Sequence, residues 1–274
     1  MIPRCTLHAH TTFCDGESTA EEMVRSAIQL GVTTLGFSGH APASDLWGNE
    51  SWCMNATTLQ DYWNEIHRLQ AKYQNTLDIL CGLEMDYYSD PIPVTPDFVI
   101  GSVHQIKKDG MQFAIDLEPE ELSHGINTLF GGDVLAFAAY YYALVANVVC
   151  KTNCDIVGHI DLLTKYNEYS PYLDESDPRY LSFAYEALDA VLEQDALIEI
   201  NTGAISRGWK KSPYPSPFLL KRIAQKKGRV ILNSDAHHAD ALLCGFEGAI
   251  ELARFCGIRE LWCIKNGQFS PVAI

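Results

Sequence analysis

The chain has 274 residues, 47 % of them hydrophobic, enough for the core of one barrel-sized unit, and residues 1–274 read as a single domain. Its 20 Lys and Arg against 35 Asp and Glu leave a formal charge of −15, which argues against a groove for a phosphate backbone and against nucleic acid as a partner. Nine cysteines without a CxxC pair, behind a start unlike a secretion signal, point to free thiols and a cytoplasmic location.

Short apolar runs at residues 5–7, 34–37, 79–83, 98–101, 156–158, 197–200 and 230–233 read as strands. Helical patterns lie between them. Ser18 with Glu21 reads as a capping box before Met23, Val24, Ala27 and Ile28, and Gly31 as the stop. Leu59, Tyr62, Trp63, Ile66, Leu69 and Tyr73 share one helical face after Thr58. The apolar stretch 134–150 carries Tyr140, Tyr141, Tyr142 and Asn147 and lacks basic flanks, so it is expected to be a buried amphipathic helix rather than a membrane span. Ser216 with Pro217 opens a further helix that Gly228 should end. About seven strands alternating with helices, and no GxGxxG after the first, predict a closed parallel (β/α) barrel rather than an open sheet. Residues 260–264 fit either an eighth strand or an edge strand outside the barrel.

Most of these runs end on a residue that can hold a divalent cation. His8 and His10 in HAH lie on one side of an extended chain, and Asp235 with His237 repeats that spacing near the other end. Asp15 sits in a Cys-Asp-Gly turn, while His40, Glu84, His104 and His159 follow SG, GL, SV and G at strand ends. A carboxylate ending an apolar strand is costly without a cationic partner, and its two oxygens can bridge two ions. Imidazole and carboxylate suit borderline divalent metals, and a parallel barrel brings the ends of its strands to one mouth. Nine ligands so placed predict a multinuclear metal site in a metallohydrolase. His67, His124 and His238 fall outside the set.

In order and spacing, HAH, Asp15-Gly16, SGHAP, GLEMDYY, GSVHQI, GHIDLLTKY, EINTGA and NSDAHH resemble the polymerase-and-histidinol-phosphatase (PHP) superfamily, in its histidinol-phosphatase branch. The resemblance runs from residue 8 to about residue 240. It implies a distorted (β/α)7 TIM-like barrel with a trinuclear site at the C-terminal ends of its strands. Carried over residue by residue, it puts His8, His10, Glu84 and Asp235 around one ion and Glu84, His104 and His159 around a second. Asp15, His40 and His237 would hold the third. Some relatives have a histidine in place of Asp15, and the ions would be zinc, manganese or iron.

What the resemblance implies is metal-dependent hydrolysis of a small phosphomonoester, L-histidinol phosphate, in histidine biosynthesis. A hydroxide bridging the ions joined by Glu84 would attack phosphorus in line, with Glu84, Asp235 and His237 as the catalytic set. Asp235 or a water would protonate the departing alcohol. Arg207 resembles the substrate-binding arginine of that branch; otherwise it is a surface residue. Asn201 orients a water or phosphate oxygen or caps a loop, and Tyr214, with Asp161 and Glu17, is a candidate for the alcohol half of the substrate. Four other readings compete: a PHP phosphoesterase acting on another small phosphomonoester or a nucleotide; C–N hydrolysis of the amidohydrolase kind, disfavoured because no lysine ends a strand; a PHP exonuclease, disfavoured by the charge; and an inactive regulatory barrel, disfavoured by the complete ligand set.

Overall fold

The computed structural model describes residues 4–265 and 267–274. In chain order the elements are β1 (Cys5–Thr6), α1 (Ala20–Leu30), β2 (Thr34–Phe37), α2 (Ala56–Tyr73), β3 (Asp78–Cys81), β4 (Leu83–Asp86) and β5 (Val99–Ser102). A hairpin of β6 (Gln105–Lys108) and β7 (Met111–Ala114) follows, then α3 (Pro119–Phe130), α4 (Val134–Thr152), β8 (Ile156–Val157), α5 (Pro178–Leu192) and β9 (Leu197–Asn201). The chain ends with α6 (Gly203–Ser206), α7 (Pro217–Lys226), β10 (Val230–Asn233), α8 (Phe246–Phe255), β11 (Glu260–Lys265) and β12 (Gln268–Ala273).

Strands β2, β9 and β10 are buried at every residue, as expected of parallel strands covered on both faces. One parallel sheet runs β1-β2-β3 and the other runs β11-β10-β9-β8-β5-β4, with β12 antiparallel at its edge. Single parallel bridges join the two sheets at both seams, Ala9 to Ala236 and His40 to Glu84. Seven strand positions therefore follow one another in a ring: β1, β2, β3 with β4, β5, β8, β9, β10 and back to β1. The fold is the distorted (β/α) barrel. Of the two readings of residues 260–264 the edge strand holds, since β11 lies outside the ring against β10, with Ile231 opposite Trp262.

The expected strand at 79–83 is broken at Gly82, which hands the chain from β2 to β5: Gly82 N donates to Phe37 O and Leu83 N to Phe98 O. A Cβ on Gly82 would lie 2.3 Å from the Phe98 ring, so only glycine lets the break sit there. Three helix ends also differ from expectation. The capping box of α1 is made by Thr19 and Glu22, because Ser18 accepts from Ala239 N and Glu21 pairs with Arg25, Arg68 and Lys72. Helix α2 starts earlier, capped by Asn55 with Thr58, and α7 ends on Lys227 in the left-handed region at φ 57° rather than on Gly228. Helix α4 is long and apolar enough to cross a membrane, but one face is buried in the fold, where Tyr141 donates to Ile160 O and Tyr142 meets Tyr180. All nine cysteines are free.

Side-chain alternation links this barrel to its site. Leu80, Ile100, Leu197 and Ile231 from four different strands pack together with Cys5, Leu7 and Ile156 as an apolar layer. Two residues further along the same strands stand Gly82, Ser102, Glu199 and Asn233, and two beyond those Glu84, His104, Asn201 and Asp235. The interior thus turns from apolar to polar toward the C-terminal ends of the strands.

Candidate metal centre

All nine ligands expected from the sequence meet at that end, and Glu84 stands at their centre. It is 1 % exposed. Its Oε2 lies 3.0 Å from His8 Nε2, 3.4 Å from His10 Nε2 and 3.2 Å from His40 Nδ1. Its Oε1 lies 3.1 Å from His159 Nε2 and 3.4 Å from His104 Nε2, and accepts from Ser102 Oγ at 2.6 Å. Asp235 Oδ1 is 3.4 Å from His10 Nε2 and 3.7 Å from His8 Nε2, while Asp15 Oδ2 is 3.2 Å from His237 Nε2 and 3.6 Å from His40 Nε2.

The ligand atoms form four overlapping groups: His10, Asp15, His40 and His237; His8, Glu84 and His159; His8, His10 and Asp235; His40, Glu84 and His104. These groups share His8, His10, His40 and Glu84, so the three sets expected from the resemblance, joined there through Glu84 alone, interlock further, and His10 and His40 each face two of them. Asp235 is brought inward by a left-handed backbone at φ 47°, a conformation costing about 1–3 kcal/mol. Gly203 accommodates it, since a Cβ there would fall 2.5 Å from Asp235 Oδ2.

Charge and burial mark the cluster as a cation site. Burial is the strongest influence on Glu84 and would raise it, but His8, His40 and His104 hold it well below the usual carboxylate range. Asp235 is likewise held down against burial by Arg207 and His8. Burial works against a charge on His104, yet Glu84 and Asp86 push it up to about 9. His237 departs from this pattern: burial, His10 and Arg207 together lower it. Buried His10 Nε2, His40 Nδ1 and Asp15 Oδ1 have no hydrogen-bond partner. Three imidazole nitrogens aimed at one carboxylate oxygen, two of them without a hydrogen-bond partner, fit divalent cations held by nitrogen and oxygen donors.

A cavity of about 340 Å³ opens over these residues, lined also by Trp52, Gln112, Asp116, Glu121, Lys165 and Arg207. Arg207 donates from Nη2 to Asp235 Oδ2 at 3.0 Å, and its Nη1 lies 2.7 Å from His237 Nδ1. Lys165 donates to the backbone oxygen of Asp116, and its Nζ is 3.5 Å from the Asp116 carboxylate.

The sequence pattern of the PHP domain matches residues 6–203. The chain belongs to the PHP domain family. Among PHP relatives, the protein named "Probable histidinol-phosphatase" of Deinococcus radiodurans is 30 % identical over 99 % of this chain and 100 % of its own. The histidinol-phosphatase of Bacillus subtilis is 26 % identical over 89 % of this chain and 97 % of its own. The crystal structure of histidinol phosphate phosphatase from Lactococcus lactis, complexed with zinc, L-histidinol and phosphate, superposes with a TM-score of 0.71 at 22 % identity, covering 97 % of this chain and 98 % of that one. That likeness shows the fold. Asp235 and His237 lie beyond the segment the PHP pattern matches, and the Ala9–Ala236 seam brings them to it.

Not every substrate residue expected from the sequence reaches the cavity. Arg207 lines it, but Asn201 and Tyr214 are buried behind the ligands. Asn201 donates to Glu199 and Asp235 and accepts from Gly203 N, so its polar atoms are spent on holding other groups. Tyr214 lies beyond His159, ring centres 6.2 Å apart. Asp161 is buried under Ser216 N, and Glu17 is exposed outside the cavity. In their place stand Asp116 and Glu121, carried in by the β6–β7 hairpin and the start of α3. The Asp109-Gly110 turn, both residues at positive φ, was the local signal for that hairpin. Neither His67 nor His124 lines the cavity, and exposed His238 caps a short turn through Asp240 N.

Proposed function

We propose that this chain is a metal-dependent phosphomonoester hydrolase that converts L-histidinol phosphate and water to L-histidinol and phosphate. The observation that carries the reading is the convergence of nine imidazoles and carboxylates on the floor of a cavity whose wall presents Arg207 and Lys165. His8, His10 and Asp235, the pair His104 and His159, and Asp15, His40 and His237 would hold divalent ions, with Glu84 shared between them. When bound, those ions supply the Lewis-acid charge that polarises a phosphoryl group and acidifies water. The protein's own surplus of acids makes that contribution necessary, because few side-chain cations face the cavity.

The chain's groups divide the remaining work. Arg207 stands on the cavity wall with its guanidinium braced by Asp235 and His237, a planar cation of the kind that suits a phosphate. Lys165 supplies a second positive charge on the same wall. Asp235, buried and held ionised, orients Arg207 and His10. Asp116 and Glu121 place negative charge where an alcohol bearing an amine and an imidazole needs it, and Trp52 and Phe113 add aromatic surface beside them.

The test is phosphate release from L-histidinol phosphate beside a simple aryl phosphate, using protein prepared with zinc, manganese or iron. A preference of at least tenfold in kcat/KM for histidinol phosphate is expected, and equal rates on unrelated phosphomonoesters would sink the substrate assignment. Asp116→Asn should narrow that preference about tenfold, the worth of roughly one ionic hydrogen bond, without changing bound metal.

A further inference from the structure

Glu199 does not line the cavity and belongs to none of the four ligand groups, yet its carboxylate is fully buried directly behind the centre. Four donors converge on it. Oε1 lies 2.6 Å from His8 Nδ1 and accepts from Asn233 Nδ2 at 2.9 Å; Oε2 accepts from Asn201 Nδ2 at 2.8 Å and from the backbone N of His159 at 2.9 Å. The orientation of both amides is settled by their other ends: Asn233 Oδ1 accepts from Leu7 N and Asn201 Oδ1 from Gly203 N, so each must present its NH2 to Glu199. Three of the four donors are therefore fixed without reference to His8.

We propose that Glu199 is a positioning residue of the metal centre, which holds a proton of His8 on Nδ1 so that Nε2, on the side of Glu84 and Asp235, is the nitrogen that would donate to a metal ion. An ionised carboxylate is the one group of this shape that can accept from four donors at once. The neutral tautomer with hydrogen on Nδ1 is then the one that leaves Nε2 as an electron-pair donor, and the anion behind the ring makes that nitrogen more basic. Because His8 is 0 % exposed, no solvent can substitute for this contact. Through the backbone N of His159, just past β8, and the side chain of Asn233 on β10, the same carboxylate also braces the strands on either side of its own. Asp86 repeats the arrangement more loosely, accepting from His104 N at 2.7 Å with His104 Nδ1 at 3.4 Å.

This inference rests on the reading of the site as a metal centre, and the experiment separates the two. Zinc affinity is measured by chelator competition for the wild type, Glu199→Gln and Glu199→Asp, alongside the melting temperature of each metal-free protein. In Glu199→Gln an NH2 must face either His8 Nδ1 or two other donors, so zinc binding at one site should weaken by about 10–100-fold, with partial recovery in Glu199→Asp. A purely structural role would lower the melting temperature and leave the zinc affinity unmoved. In 15N-histidine spectra of the zinc-loaded wild type, His8 should carry its proton on Nδ1. Folded Glu199→Gln with wild-type zinc affinity, or a wild-type His8 protonated on Nε2, overturns the assignment; the second measurement decides it even if the glutamine variant does not fold. A wild type that takes up no zinc, manganese or iron would instead overturn the metal centre itself.

Discussion

Glu84 spends both carboxylate oxygens on five imidazoles and a serine, so it cannot be replaced by its amide without turning a donor toward a ring nitrogen. Glu84→Gln should therefore lose bound metal and lower turnover by on the order of 10³-fold or more, the equivalent of several kcal/mol of charge stabilisation, while far-UV circular dichroism stays unchanged. Retention of full metal content together with full activity would refute its shared role. Arg207→Lys keeps the charge and removes the fork. Its expected signature is roughly a 10–100-fold loss in kcat/KM with metal content intact, read by steady-state kinetics and elemental analysis. At this scale the sequence was informative about which residue types gather, since histidines and acids ending apolar strands have few other uses. It left Asn201 between a substrate contact and a loop cap and set Tyr214 at the substrate, whereas the burial of both behind the ligands depends on where α6 and its following loop turn.

Elements place these residues by small departures from regularity. The break at Gly82 lets one chain segment pair first with β2 and then with β5, and it sets Glu84 two residues later on the floor of the cavity. Gly82→Ala would drive a methyl group into Phe98, so a loss of about 1–3 kcal/mol is expected, measured by urea unfolding. An unchanged midpoint would mean that Phe98 can swing aside. Strand and helix positions were legible from apolar period and caps, with shifts of one residue at Thr19 and Lys227 and of three at Asn55. The β6–β7 hairpin was less so. Its strands are short and mixed in polarity, and what makes them matter is the tertiary packing that aims Gln112, Phe113 and Asp116 at the cavity.

Across the whole molecule, the centre ties together strands from both ends of the chain, with His8 and Asp235 meeting across the Ala9–Ala236 seam. Metal bound there would add a further tie across that seam. Removing it leaves buried carboxylates and imidazoles without their cations, and the folded state loses the binding free energy. For one ion at 100 times its Kd that is about 2.7 kcal/mol, so chelation should lower Tm by roughly 5–10 °C in a chain of this size, and re-addition of zinc or manganese should restore it, as followed by scanning calorimetry. An identical Tm with and without chelator would show that the ligands are held by the fold alone.

By itself the sequence determined the kinds of ligand, their order and their positions at the ends of buried strands, because side-chain alternation and the cost of burying an unpaired charge act locally and leave a periodic record. Only the tertiary structure decided which nitrogen faces which oxygen, that His8, His10 and His40 are shared between groups as Glu84 is, and that Glu199 stands behind His8. Those outcomes depend on distances between segments as much as 228 residues apart, as Thr6 and Ser234 are, and on a single glycine break and one left-handed aspartate. No local periodicity encodes them.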